Sequence, residues 1–124
     1  MKSYQFICLL FLLVSLSLSA DDNNETITKN LMKLEQLFLV DEESLNHDTV
    51  IQLSTDILKY RKYYTNDSLA KTFILLANVA NNRGDSTKAF QFATDGLSLR
   101  SIAGDLRLNL LSKAAEGYFY KGKF

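Results

Sequence analysis

The residues able to do chemistry are few, and their spacing does not gather them. His47 is the only histidine in 124 residues. It stands beside Asp48 in a polar stretch, where an imidazole serves as a cap or meets solvent more readily than it acts as a base. With one histidine and one cysteine there is no cluster with metal-ligand spacing, so no metal is expected. Asp41, Glu42 and Glu43 are adjacent carboxylates without a loop scaffold, and they read as a solvated face. The glycines stand singly, and none belongs to a phosphate-cradling loop. Thr55-Asp56 and Thr94-Asp95 look like a duplicated site, but they read as hairpin packing and solvent contact, because a duplicated structural element explains the repetition. The expectation is a chain with no catalytic residues and no cofactor, not an enzyme.

Charge narrows the partners. Fourteen basic and fourteen acidic residues give a formal charge of zero, and no lysine or arginine block stands out. A nucleic-acid partner needs a phosphate-neutralising surface, so none is expected.

The first twenty residues set the expected compartment. Lys2 gives a positive start, an apolar run occupies residues 6–18, and Ser17, Ser19 and Ala20 are small residues ahead of Asp21. This is the pattern of a secretory signal at 1–20, cleaved near Ala20. The run is shorter than the roughly 20 residues that span a bilayer, which favours cleavage over anchoring. Cys8 lies too early, inside the apolar run, to be a lipid-attachment site, and the mature chain would then hold no cysteine and no disulfide. Export without cysteine suits a bacterial periplasm. The triplets Asn24-Glu25-Thr26 and Asn66-Asp67-Ser68 match glycosylation acceptors, a pattern that arises by chance in a chain rich in asparagine.

The elements that must position everything else are helices. There is no proline, whose presence inside a helix costs about 3 kcal/mol. Residues 67–100 read as two helices back to back. Phe73, Leu76, Ala77 and Ala80 make one apolar stripe, and Ala89, Phe90, Ala93 and Leu97 make the other. Gly84 can end the first helix, and Asp85 or Ser86 can cap the second, which is expected to continue to about Ala103. Upstream, a polar leader at 21–24 precedes a helix over 25–40 carrying Leu31, Leu34, Leu37 and Phe38. A second helix follows over 49–64. Downstream, Gly104 and Asp105 introduce a last helix whose stripe is Leu111, Ala114, Ala115 and Tyr118.

The chain repeats itself. Shifted by 39, Gln52, Thr55, Asp56, Leu58 and Arg61 fall on Gln91, Thr94, Asp95, Leu97 and Arg100. Shifted by 38, Asp67, Ala77 and Gly84 fall on Asp105, Ala115 and Gly122. The stretch 67–100 resembles a tetratricopeptide repeat. Phe73 stands where that family has a bulky aromatic, Leu76-Ala77 where it has a large and then a small residue, and Gly84, Ala89 and Gly96 where it needs a turn and close approach. Ala80, where an aromatic is usual, and the lack of a proline after Leu99 depart from the pattern. The period is longer than the roughly 34 of the common form. It is similar to a lengthened variant of bacterial sensory and regulatory proteins, whose second helix runs on by about a turn.

The resemblance implies an all-α fold of antiparallel hairpins stacked as a solenoid of about two and a half repeats, at 25–64, 67–103 and 105–124, within one domain over 21–124. Phe38, large where the family prefers a small residue, implies an irregular first hairpin. A concave face lined by the first helix of each hairpin would carry Lys71, Ile74, Asn78, Asn81 and Asn82, then Asn109, Ser112, Glu116 and Phe119. In the family such a face binds extended peptides, and asparagine, donor and acceptor at once, suits a peptide backbone. The expected function is a protein- or peptide-interaction module, the periplasmic sensing part of a larger signalling protein that continues beyond residue 124 through a transmembrane helix. A membrane would enter only through the leader or that helix. The alternatives are a stand-alone exported scaffold of the envelope and an enzyme subunit whose catalytic domain lies elsewhere. Gly122-Lys123-Phe124 aligns with the turn Gly84-Asp85-Ser86, so a further helix is expected after it.

Overall fold

Five α-helices carry the chain over residues 23–122, which the computed structural model describes, and no strand occurs among the described residues. They are α1 (23–38), α2 (His47–Lys59), α3 (Asn66–Asn82), α4 (Ser86–Leu97) and α5 (Gly104–Gly122). Short 3-10 turns at Glu42–Ser44 and Arg61–Tyr63 join the first three. The leader expected at 1–20, residues 21–22 and the turn residues 123–124 lie outside the described residues. Asn23 and Asn24 are already helical, so the polar leader expected at 21–24 is shorter than its composition implied.

Local chemistry starts and stops these helices. The side chain of Asn46 accepts from the Thr49 amide at 3.1 Å, and that of Asp85 accepts from the Lys88 amide at 3.0 Å. These N-caps stand 39 residues apart (85 against 46), the same offset at which the sequence identities fall. Thr65 caps α3 through the Ser68 amide. At the other end of α3, Gly84 takes φ 75°, its amide donates to the Asn81 carbonyl, and the Asp85 amide reaches back to the Ala80 carbonyl. That is the Schellman arrangement, in which a left-handed residue lets the last carbonyls find donors. Three residues of turn then fold α4 back along α3.

Two helices are shorter than expected. α2 ends at Lys59 rather than near 64, because the 3-10 turn swings Tyr64 inward, where its phenol oxygen accepts from the Asn30 amide of α1 at 3.0 Å. α4 ends at Leu97 rather than near 103. There the start of α3 holds the loop. Asn66 donates to the Arg100 carbonyl at 2.8 Å, and the Asp67 carboxylate accepts from the Ala103 amide at 2.9 Å. Neither second helix is lengthened. The long period is spent in loops.

α3 is the centre of the packing. It touches α2 and the turn Glu42–Ser44, and it touches α4 and α5. Its expected stripe, Phe73, Leu76, Ala77 and Ala80, is buried, and so are Ile74, Leu75, Asn78 and Val79 on its other sides. A helix sealed on several sides shows no single stripe. Fully burying each of Leu34, Val50, Ile57, Ile74 and Leu110 contributes on the order of 1.5–3 kcal/mol.

The last helix corrects the sequence reading. Leu111 and Tyr118 are exposed at 49% and 70%, Ala115 is exposed too and Ala114 is half-buried, so most of the expected stripe points outward. The inward row is Leu106, Leu110, Lys113 and Gly117. Two glycines select it. A Cβ on Gly96 would lie 2.6 Å from Leu110 Cδ2, and one on Gly117 would lie 2.9 Å from Phe90 Cβ. α4 and α5 therefore meet glycine to side chain at both points, and that close approach fixes the rotation of α5. The outward face is apolar as well, with Leu108, Leu111, Tyr118 and Phe119 exposed. Apolar spacing alone identifies two candidate faces and does not choose between them.

Candidate binding surfaces

The nine residues expected to line one face are divided by the fold. Ile74 and Asn78 are 1% and 6% exposed and belong to the interior. The Asn78 Oδ1 has no hydrogen-bond partner among the described residues, a cost left in the core at that position. Lys71 is half-buried and committed. Its ammonium meets the Glu35 carboxylate of α1 at 2.5 Å and lies 5.5 Å from the centre of the Phe38 ring. Asn82 is also engaged, donating to the Glu42 carbonyl at 2.6 Å. Asn81 and Asn109 are half-buried, whereas Ser112, Glu116 and Phe119 are exposed. At 100° per residue, Asn109, Ser112 and Glu116 share one flank of α5 beside Lys113. The accessible part of the expected face thus lies mainly on α5, while on α3 Ile74 and Asn78 are packed, Lys71 and Asn82 are paired, and Asn81 is half-buried.

Lys113 ties this region together. Its residue is 6% exposed, and its ammonium pairs with the Glu42 carboxylate in the turn after α1. Glu42 accepts from α3 through its carbonyl and from α5 through its carboxylate. The expected solvated face at Asp41–Glu43 therefore contains one residue, Glu42, in structural contact with two helices. No group of three metal-ligating side chains occurs among the described residues.

A second surface lies where the sequence offered no motif. Between α2, α3 and α4 is a cavity of about 430 Å³. Ile51 and Leu58 of α2, Leu76, Val79 and Ala80 of α3, and Phe92 of α4 give it apolar walls. Ser54, 2% exposed, lines it, and its hydroxyl has no partner recorded among the described residues. Arg83 and Lys88, both exposed, stand at its polar edge. The Arg83 Nε donates to His47 Nδ1 at 3.2 Å, so the lone histidine acts as an acceptor that orients a guanidinium. Asp85 is the one carboxylate in the lining, and it is occupied in capping α4.

Sequence reasoning missed Ser54, Arg83 and Lys88 because each belongs to a different element. The available signal was Ala80, a small residue on a stripe of larger ones. The reading also passed over Lys59-Tyr60-Arg61-Lys62-Tyr63-Tyr64, the nearest approach to a basic block. There Lys59 and Lys62 lie 5.4 and 5.1 Å from the centres of the Tyr60 and Tyr63 rings. These are exposed contacts worth about 0.5–1 kcal/mol each.

Thr55 and Thr94 turn their hydroxyls to their own helices, donating to the Ile51 and Gln91 carbonyls. Among the described residues no helix is long and apolar enough to cross a membrane. Comparison with protein-family models, with curated proteins and with solved structures finds no match.

Proposed function

We propose that this chain is a non-catalytic interaction module of tandem helical hairpins, of the tetratricopeptide kind, that takes a protein or peptide against the α5 flank carrying Asn109, Ser112 and Glu116. The observation that carries this reading is the recurrence of one hairpin plan. The caps of α2 and α4 are 39 residues apart, and α3 and α5 begin 38 apart (104 against 66). A stacked plan of this kind presents one flank of successive helices to a partner. The apolar run at 6–18 supports export, and we assign the module to the sensing part of a larger signalling protein.

A photo-crosslinking residue at Ser112 tests the surface, with Gln91, exposed on α4, as control. One discrete adduct from position 112, abolished by Glu116→Lys and not formed from position 91, is expected. Equal labelling from both positions, or none, rejects the surface. Export is tested separately by N-terminal sequencing of the protein from the envelope fraction. The expected first residue is Asp21 or Ala20, and an intact Met1 rejects cleavage.

A further inference from the structure

The cavity between α2, α3 and α4 has the chemistry of a small-molecule site, on helix surfaces other than the α5 flank. Its volume of about 430 Å³ falls in the range of roughly 300–1,000 Å³ that ligand pockets occupy. At about 30 Å³ per water it has room for on the order of ten to fifteen non-hydrogen atoms. Room exists because Ala80 contributes only a methyl group to a wall otherwise made of Leu76, Val79 and Phe92.

Its polar groups occupy two places. At one edge stand Arg83 and Lys88. The ion pairs among the described residues are Lys71–Glu35 and Lys113–Glu42, so neither of these two cations is in an ion pair, and Asp85, the carboxylate in the same lining, is engaged in capping α4. His47 engages Arg83 only through Nε, which leaves the terminal amino groups of the guanidinium, the fork that receives a carboxylate. Ser54 lies seven residues along α2 from His47, about 10 Å further down the helix axis. The residue is 2% exposed and lines the cavity, so its hydroxyl is placed to bond to an occupant.

We propose that this cavity binds a small amphipathic monocarboxylate. The apolar body packs between Leu58, Leu76 and Phe92, and the carboxylate meets Arg83 and Lys88. A hydroxyl towards the far end of the body bonds to Ser54. Desolvation makes the walls select an aliphatic body, and the two cations select its charge.

The test uses the full chain and follows backbone amide resonances during titration with octanoate, 8-hydroxyoctanoate, 1-octanol and octylamine. Octanoate is expected to shift resonances of α2, α3 and α4 around the cavity saturably. It should bind more tightly than octanol, and octylamine more weakly than either. The double variant Arg83→Gln, Lys88→Gln, altered at two exposed positions, is expected to weaken octanoate about ten- to a hundredfold, equivalent to one charge-assisted hydrogen bond. Octanol binding should be unchanged in it. Ala80→Phe is expected to fill the cavity and abolish binding of both. Ser54→Ala is expected to keep octanoate binding and to erase the preference for 8-hydroxyoctanoate. No saturable shifts in the wild-type protein overturns the proposal, as does equal binding of octylamine. So does undiminished octanoate binding in the double variant, which decides the matter even if Ala80→Phe does not fold.

Discussion

Gly96→Ala puts the packing of α4 to a direct test. In an exposed helix this substitution stabilises by about 0.5–1 kcal/mol, because alanine loses less backbone freedom on folding. Here the added Cβ would lie 2.6 Å from Leu110 Cδ2, 3.0 Å from Cδ1 and 3.2 Å from Phe73 Cβ. Carbon atoms pack at about 3.5–4.0 Å, so the nearest overlap is on the order of 1 Å. Leu110 is 0% exposed and Phe73 is 5% exposed. Leu110 can yield only by repacking its side chain, and Phe73 Cβ, attached directly to the α3 backbone, cannot rotate away. Overpacking of this kind costs about 1–3 kcal/mol. Subtracting the propensity gain leaves a net loss between about zero and 2.5 kcal/mol, or as much as roughly 10–20 °C in Tm for a domain near 100 residues. Urea unfolding and calorimetry read both quantities. A double-mutant cycle isolates the cause. Leu110→Ala alone should cost about 2–5 kcal/mol for its cavity, but less in the Gly96→Ala background, where the new methyl occupies part of the space. If Gly96→Ala raised Tm, or the two changes simply added, the close meeting of α4 and α5 derived above would be refuted.

Two further outcomes follow from the same packing. Ala77, 0% exposed, admits no larger side chain, so Ala77→Leu should destabilise by about 1–3 kcal/mol. The half-buried Asn81→Ala should stay within about 0.5 kcal/mol, and equal shifts in thermal melts would show the faces of α3 misassigned. Lys113→Met, which replaces a buried cation by an apolar chain of similar length, should be close to neutral in urea unfolding, whereas Glu42→Gln should cost about 1 kcal/mol by leaving the Lys113 ammonium without its counter-charge. A larger loss for Lys113→Met than for Glu42→Gln would show that the pair itself, rather than desolvation, governs this contact.

The helices and caps were legible because they are local. Gly84 needed only its own φ to end α3, and Asp85 only the Lys88 amide to begin α4. The repeat offset was legible for a related reason. Asn46 and Asp85 are chemically alike as caps and stand 39 residues apart, although the connections they close differ in length, 39–46 before α2 and 83–85 before α4.

The candidate surfaces were hidden because they depend on which face turns inward, and that choice is made between helices. On α3, helices packed on more than one side buried Ile74 and Asn78 with the stripe, removing them from the face they were expected to line. On α5, two apolar rows competed. The one containing Leu110 and Gly117 faces inward because Gly96 and Phe90 on α4 offer a glycine to a leucine and a phenylalanine to a glycine. Such complementarity joins residues fourteen and twenty-seven positions apart (110 against 96, 117 against 90), far beyond any window of helical periodicity. The cavity was hidden for the same reason. Ser54, Ala80 and Lys88 are unremarkable within their own helices, and only the packing of α2, α3 and α4 brings a small side chain, a hydroxyl and a cation without an ion pair to the lining of one cavity.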